Sequence, residues 1–269
     1  MQASVSTLSA VQAGDGQQLF SLLHSEEPNT QEQAVQGLGV LVKTKPDSFQ
    51  AIGAKAVASA LCRQLSASTQ DVQIAAASTI TALAREGPDN QIAIANAGAL
   101  PLLQQQMATQ NSRIQTTAVT ALGHLAADSQ PIAQWLGGTG TAHHLQLLLQ
   151  SPETELQLAA IDAIDSIARS DLQVRAMIGN QQTLTVLIHL LQSSSIHTQH
   201  AAASALANIA LVSRDEVNIS MVRCGAAAAL VQKLDPKHES VCHQATRALC
   251  NLSGDNDECD EAISRHSSY

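Results

Sequence analysis

Residues Asn90 to Pro101, NQIAIANAGALP, carry the reading that decides the fold. An apolar segment around Ile94 runs into Gly98, and Pro101 follows where a second helix begins. Glycine there permits a sharp bend between two helices, and a proline in a first helical turn removes an N–H that has no intrahelical partner anyway. The pattern recurs along the chain. Ile52, Ile94, Leu136, Ile178 and Met221 share one register, and Gly14, Gly98, Gly140 and Gly225 mark the bend after it.

Working outward, Leu19, Leu61, Leu103, Leu145, Leu187 and Leu230 follow one another at steps of 42, 42, 42, 42 and 43 residues. Four residues after each comes Leu23, Leu65, Met107, Leu149, Leu191 or Leu234, so each pair shares one face of a second helix. A third helix follows. Its columns are Ala34, Ala76, Ala118, Ala160, Ala202 and Ala245; Leu38, Ile80, Leu122, Ile164, Leu206 and Leu249; and Leu41, Leu83, Leu125, Ile167, Ile209 and Leu252. That i, i+4, i+7 stripe marks an amphipathic helix, with the alanines allowing neighbouring repeats to approach and the larger residues filling the core between them.

Tetratricopeptide and ankyrin units repeat at about 34 and about 33 residues, whereas HEAT and armadillo units take about 40 to 47. Three helices with a glycine bend select armadillo. The expected fold is all-α, a right-handed alpha-alpha superhelix of armadillo repeats, forming a single solenoid over 1–269. Repeats fall at about 5–45, 46–87, 88–129, 130–171, 172–213 and 214–256. Ile263 stands 42 residues after Met221, so 257–269 reads as a partial seventh repeat or a C-terminal cap.

Composition agrees. The chain is 45% hydrophobic and 14% charged, which supplies material for a core. Phe20, Phe49, Trp135 and Tyr269 are its only aromatic residues, so Ala, Leu, Ile and Val must build that core. A net charge of -9, with the basic residues scattered singly, gives no attraction for nucleic acid or an anionic membrane. Stacking platforms for bases are missing too. No run approaches the about 20 apolar residues of a membrane span, and the N-terminus has no basic start or hydrophobic run, so neither membrane insertion nor secretion is expected. Cys62, Cys224, Cys242, Cys250 and Cys259 sit at apolar positions of helical segments, as the reduced thiols of a cytoplasmic protein do.

The segment Asn90–Pro101 and the stretch Asp71–Ala76, DVQIAA, resemble the armadillo-repeat consensus, and the phase extends that resemblance over nearly the whole chain. It implies a superhelical scaffold or adaptor without catalytic activity, which holds a protein segment or peptide in a concave groove. A weaker likeness to flagellar central-apparatus armadillo proteins implies, as the alternative, a fixed component of a cytoskeletal or ciliary assembly. A third expectation makes the chain a regulatory region of a larger enzyme.

Opposite the core stripe of the third helix lie two columns that the resemblance places in the groove. They pair Gln36 with Val40, Ser78 with Ala82, Thr120 with His124, Asp162 with Ser166, Ser204 with Asn208, and Arg247 with Asn251. The importin-alpha branch fills the first column with Trp and the second with Asn. Here there is no Trp in the first, and only Asn208 and Asn251 match the second. Arg247 is the only basic side chain of Lys or Arg type in these columns, so the basic groove of the beta-catenin branch is missing as well. Asn208, Asn251 and Arg247 are the expected clamp for an extended peptide backbone.

Other polar groups read as structure. Gln31, Gln73, Gln115, Gln157 and Gln199 form a column suited to unpaired backbone groups at helix ends. His197 with His200, and Cys242, His243, Cys250 and Cys259, gather metal-ligand types without metal-site spacing, and buried thiols are the expected reading. Gly137, Gly138 and Gly140 form an inter-helix bend without the strand and lysine of a phosphate loop. His143 and His144 have no nucleophile in a defined relation to them, and Asp162 with Asp165 reads as an exposed acidic face. No metal, cofactor or small-molecule substrate is expected.

Overall fold

The computed structural model describes residues 2–44, 53–211, 216–253 and 257–266; Ile52, Phe49 and Tyr269 lie outside them. The described residues form helices joined by short turns, with no strand among them. The chain divides into two compact units, Met1–Leu125 and Ala126–Tyr269.

The first unit holds α1 (Gln2–Ala13), α2 (Gly16–Leu22), α3 (Pro28–Thr44), α4 (Ala54–Leu65), α5 (Gln70–Ala84), α6 (Pro88–Asn96), α7 (Ala99–Met107) and α8 (Ser112–Ala126), the last ending at the unit boundary. The second holds α9 (Gln130–Gly138), α10 (Thr141–Leu148), α11 (Thr154–Ser170), α12 (Leu172–Ile178), α13 (Gln181–Leu190), α14 (Ile196–Ala210), α15 (Glu216–Arg223), α16 (Ala226–Val231), a 3-10 turn at Pro236–His238, α17 (Glu239–Leu252) and α18 (Asp257–His266). The third helices α3, α5, α8, α11, α14 and α17 are the longest of their repeats.

The bends stand where glycine was expected. Gly14, Gly98, Gly140 and Gly225 all have φ between 74 and 89°, a left-handed backbone that other residues adopt only with strain. Where the fifth repeat lacks that glycine, the Asn180 side chain caps α13 instead, accepting from Thr183 N at 3.1 Å. Gly137 and Gly138 end α9, and Gly140 makes the turn into α10.

Each leucine of the second-helix column is fully buried, and every member of the three third-helix columns is buried. So are Ile94, Leu136, Ile178 and Met221. One expected core residue fails: Leu234 is 38% exposed. α16 ends at Val231, so Leu234 falls in the turn before Pro236 and cannot share a helix face with Leu230.

Neighbouring third helices make the main contacts: α3 with α5 in the first unit, α11 with α14 and α14 with α17 in the second. Close approach needs small residues. A Cβ on Gly39 of α3 would stand 2.9 Å from Thr79 Oγ1, and that hydroxyl donates to Val35 O at 3.0 Å. Helix α1 also lies along α3, with Thr7 Oγ1 donating to Gln33 Oε1 at 3.0 Å and Val11 packed so close that a Cβ on Gly37 would stand 2.9 Å away. Gly37 shares the register of Thr79, so α1 covers the face of α3 equivalent to the one α5 turns toward α3. In the second unit Thr246 of α17 and Ser253 just after it are exposed, whereas Ile161, Ala203, Ala168 and Ala210 in the same registers are buried.

Backbone groups at the helix ends are satisfied by glutamine. The Nε2 atoms of Gln31, Gln73, Gln115, Gln157 and Gln199 donate to Ser25 O, Ala67 O, Met107 O, Leu149 O and Ser193 O at 2.6 to 3.1 Å. The column is structural, as expected. A second set ties consecutive repeats: Gln64 Nε2 donates to Leu23 O at 2.9 Å and Gln106 Nε2 to Leu65 O at 2.7 Å. First-helix side chains bridge third-helix ends in the same way. Gln91 Nε2 donates to Ala84 O at 3.2 Å and His124 O at 3.1 Å, and Arg175 donates through Nε to Ala168 O at 2.7 Å and through Nη1 to Leu211 O.

Candidate functional site

The two groove columns have different fates in the two units. In the first, Gln36 and Ser78 are exposed, Thr120 and His124 are half-buried, Val40 is 46% exposed and Ala82 is buried. Between α3 and α5 this face opens as a cleft of about 270 Å³, with Gln36, Val40, Ile74, Ser78 and Ala82 on its walls and Glu32, Asp71 and Arg113 beside them. A second cleft of about 310 Å³ lies between α1 and α3 and is lined by Leu8, Val11, Gln33 and Gly37; Gln36 and Val40 belong to both clefts. Leu8 is 63% exposed. The charges of the first cleft are only loosely paired: Arg113 Nη1 stands 3.9 Å from Asp71 Oδ1, and both side chains are mostly exposed. An ion pair of that kind contributes at most about 1 kcal/mol.

In the second unit the same columns are drawn into a network. Asn208, 5% exposed, donates through Nδ2 to Asp165 Oδ1 at 2.6 Å and accepts at Oδ1 from Arg247 Nη2 at 3.0 Å. Ser204 Oγ also donates to Asp165 Oδ1, at 3.2 Å, and Arg169 Nε stands 3.7 Å from Asp165 Oδ2. Arg247 Nη2 reaches Ser204 O at 3.4 Å, and Asn251 Nδ2 donates to Ala207 O at 2.8 Å. Ser166 is buried. Asp162 is exposed, yet crowding by the surrounding protein, followed by the Asp165 charge, raises its pKa above the usual carboxylate range, with His200 opposing. The amide of Asn208 is thus engaged at both ends within the fold, and the expected backbone clamp of Asn208, Asn251 and Arg247 instead joins α11, α14 and α17 side by side.

The sequence does not give the roles of several of these residues. Asp165, the hub of the network, lies one residue off the groove columns, and the expectation of an exposed acidic face with Asp162 misses its partners Ser204, Asn208 and Arg169. Asp71 and Arg113 stand 42 residues apart with opposite charge, a signal that register alone could have supplied. Leu8 lies outside every repeating column and carried no such signal.

The cysteines need a correction. Cys62 and Cys259 are buried, Cys224 and Cys242 are half-buried, and Cys250 is exposed, contrary to the expected buried thiol. The inner face of α17 is occupied by Val241, Ala245, Ala248 and Leu252, and Cys250 stands outside that stripe. No group of three or more His, Cys, Asp and Glu side chains among the described residues is arranged to hold a metal ion. His197 is exposed, and His200 Nδ1 lies 3.1 Å from Ser240 O. No helix among the described residues is long and apolar enough to cross a membrane.

A stack of three-helix repeats with a glycine bend, joined through long third helices, defines an α-solenoid. Residues 87–127 and 171–211 match the family model of the Armadillo/beta-catenin-like repeat. The chain is similar to an engineered protein of known crystal structure, at 28% identity over 97% of this chain and 63% of that one, with a TM-score of 0.88. It is similar to a designed armadillo repeat protein at 25% identity, covering 88% of this chain and 99% of the other, with a TM-score of 0.80. A computationally designed armadillo repeat protein for modular peptide recognition aligns at 25% identity over 87% and 98% of the two chains, with a TM-score of 0.77. This chain therefore spans 63% of the length of the first of these structures. No curated protein matches the sequence. The fold is an armadillo-repeat solenoid.

Proposed function

We propose that this protein is a non-enzymatic scaffold or adaptor that holds a segment of another protein on the exposed face of its third helices. The observation that carries this reading is the open face of the first unit. There Gln36, Val40 and Ser78 are exposed along clefts of about 270 and about 310 Å³. Extended segments suit such a surface because they present alternating side chains and backbone amides to a row of parallel helices. A designed relative made for modular peptide recognition supports the same use of the fold. A net charge of -9 argues against nucleic acid as the occupant, and five free cysteines suit the reducing cytoplasm.

The test is affinity capture from cells with the intact chain and with a Gln36→Arg, Val40→Asp, Ser78→Arg variant, followed by mass spectrometry. Partners should be lost from the variant while its helical content and melting are kept. Identical partner sets for both proteins would remove the groove from the explanation.

A further inference from the structure

We infer that α1 is a displaceable cover: it sits on α3 in the place that α3 itself takes on α5, and a helix of like face from a partner exchanges with it. By sequence α1 is a first helix, since Ala10 stands two 42-residue steps before Ile94 and Gly14 two such steps before Gly98. The first helices α6 and α12 pack on the repeat before them, α6 on α4 and α5, α12 on α9 and α11. α1 lies along α3 of its own repeat instead. The place it takes is defined residue by residue. Gln33, Gln36, Gly37 and Val40 line the α3 side of the α1–α3 cleft, and Ala75, Ser78, Thr79 and Ala82, each 42 residues on, line the α5 side of the α3–α5 cleft. Facing them, Thr7, Leu8 and Val11 of α1 repeat the spacing of Val35, Gln36 and Gly39 of α3. Val11 presses on Gly37, where an added Cβ would stand 2.9 Å from its Cγ2, as Thr79 presses on Gly39.

α1 holds that place without being a stable helix by itself. Isolated helices shorter than about 12–15 residues are marginal in water even when rich in alanine. α1 has 12 residues, half of them Ser, Thr or Val, with no acidic residue in its first turn and no basic residue in its last to complement the helix dipole. Its helicity therefore depends on docking, and leaving α3 and unfolding are one event. Docked, it buries Thr7 and Ala10 and leaves Leu8 63% exposed. Gly14, with φ 74°, is the pivot between α1 and α2. The face under α1 suits an amphipathic helix with Ser or Thr at one position and a β-branched residue four further on. Gln33 Oε1 accepts from the Thr7 hydroxyl at 3.0 Å, and one turn along, Gly37 leaves the notch that Val11 fills.

The experiment uses the full chain and a synthetic peptide of α1, residues 2–13, stapled between the exposed positions of Ser9 and Ala13 so that its helicity is supplied. Fluorescence anisotropy compares binding to wild type and to Val11→Asp, which takes the chain's own α1 off the face. A cover docked in about nine molecules of ten or more lowers the apparent affinity of a competitor about tenfold or more. The peptide should therefore bind Val11→Asp at least about tenfold more tightly than wild type, and a peptide carrying Thr7→Asp and Val11→Asp should bind neither. Hydrogen exchange in wild type should show α1 exchanging as one block, at least about tenfold faster than α3. Ala10→Asp replaces Val11→Asp if the latter lowers the helical content beyond the loss of α1. Equal affinity for the two chains, no binding to either, or α1 amides as protected as those of α3 overturns the inference. The groove reading above stands or falls by its own capture experiment.

Discussion

Replacing Asn208 by alanine separates two roles for the groove amides of the second unit, cross-linking the helices or holding a ligand. The substitution deletes the bond from Nδ2 to Asp165 Oδ1 at 2.6 Å and the bond from Arg247 to Oδ1 at 3.0 Å. Both reach charged groups, and hydrogen bonds of that class contribute about 1.5–3 kcal/mol each. The losses do not simply add, because Asp165 keeps Ser204 and Arg169, and Arg247 keeps Ser204 O. We expect a net destabilisation of about 2–4 kcal/mol. In a repeat array, stability is a sum of local and nearest-neighbour contributions, so the damage should be concentrated in α11, α14 and α17. Urea unfolding gives the total, and hydrogen exchange read by mass spectrometry gives its location. A double-mutant cycle with Asp165→Ala should return a coupling of about 1 kcal/mol or more. If Asn208→Ala unfolds within about 0.5 kcal/mol of wild type and exchange in those helices is unchanged, the network contributes nothing to stability and the reasoning is wrong.

Other expectations can be checked on the same protein. Gln157→Ala removes the donor to Leu149 O, and should cost about 1 kcal/mol in urea unfolding, whereas Gln36→Ala on the exposed face should cost under about 0.5 kcal/mol. Leu122→Ala empties a buried site and should cost about 2–5 kcal/mol, with Thr120→Ala close to neutral. The opposite order would mean that the inner and outer faces of α8 are reversed. Burial pushes the Cys62 thiol up to about 11, with the Arg63 charge opposing, so at pH 8 it is almost wholly protonated as well as enclosed. Alkylation followed by mass spectrometry should modify the exposed Cys250 first and Cys62 only on unfolding; early labelling of Cys62 would contradict the packing of α4.

The core was legible because burial imposes a period. Leu19 and its five successors, and the columns led by Ala34, Leu38 and Leu41, are fixed by contact with neighbouring helices, and that requirement is written into sequence spacing. Where a helix stops early the period misleads, as Leu234 does beyond the short α16. The site was legible only in part. Helical spacing identifies the face opposite the core, but the exposure of a polar residue there depends on what the adjacent repeat places beside it. Ser166 and Asn208 occupy the register of Val40 and His124, and still they are buried. Asp165 reads in the sequence as part of an exposed acidic face for a related reason: its partners Ser204 and Asn208 stand 39 and 43 residues away, a diagonal contact that a column at one fixed step does not sample.

A register position is therefore not a function, and the contrast between the units follows from side-chain chemistry. Val40 and Ala82 cannot donate or accept hydrogen bonds, so at that register nothing polar crosses between α3 and α5, and the cleft stays open. In the second unit Asn208 at that register, with the Asp165 carboxylate on one side and the Arg247 guanidinium on the other, bonds across three helices, and Ser204 of the neighbouring column joins it on Asp165. Once buried, Asn208 must be paired, because an unpaired polar group there would cost more than the contact returns. Each amide engaged in this way is removed from the set that a ligand could meet. The hydrogen-bonded α11–α14–α17 face and the open α3–α5 cleft thus follow from different side chains at the same register. Our reading accordingly looks for the partner on the first unit, where Leu8 and Val40 remain in water and Asp71 keeps only a loose companion in Arg113, while Glu32 accepts from Gln36 at 2.8 Å.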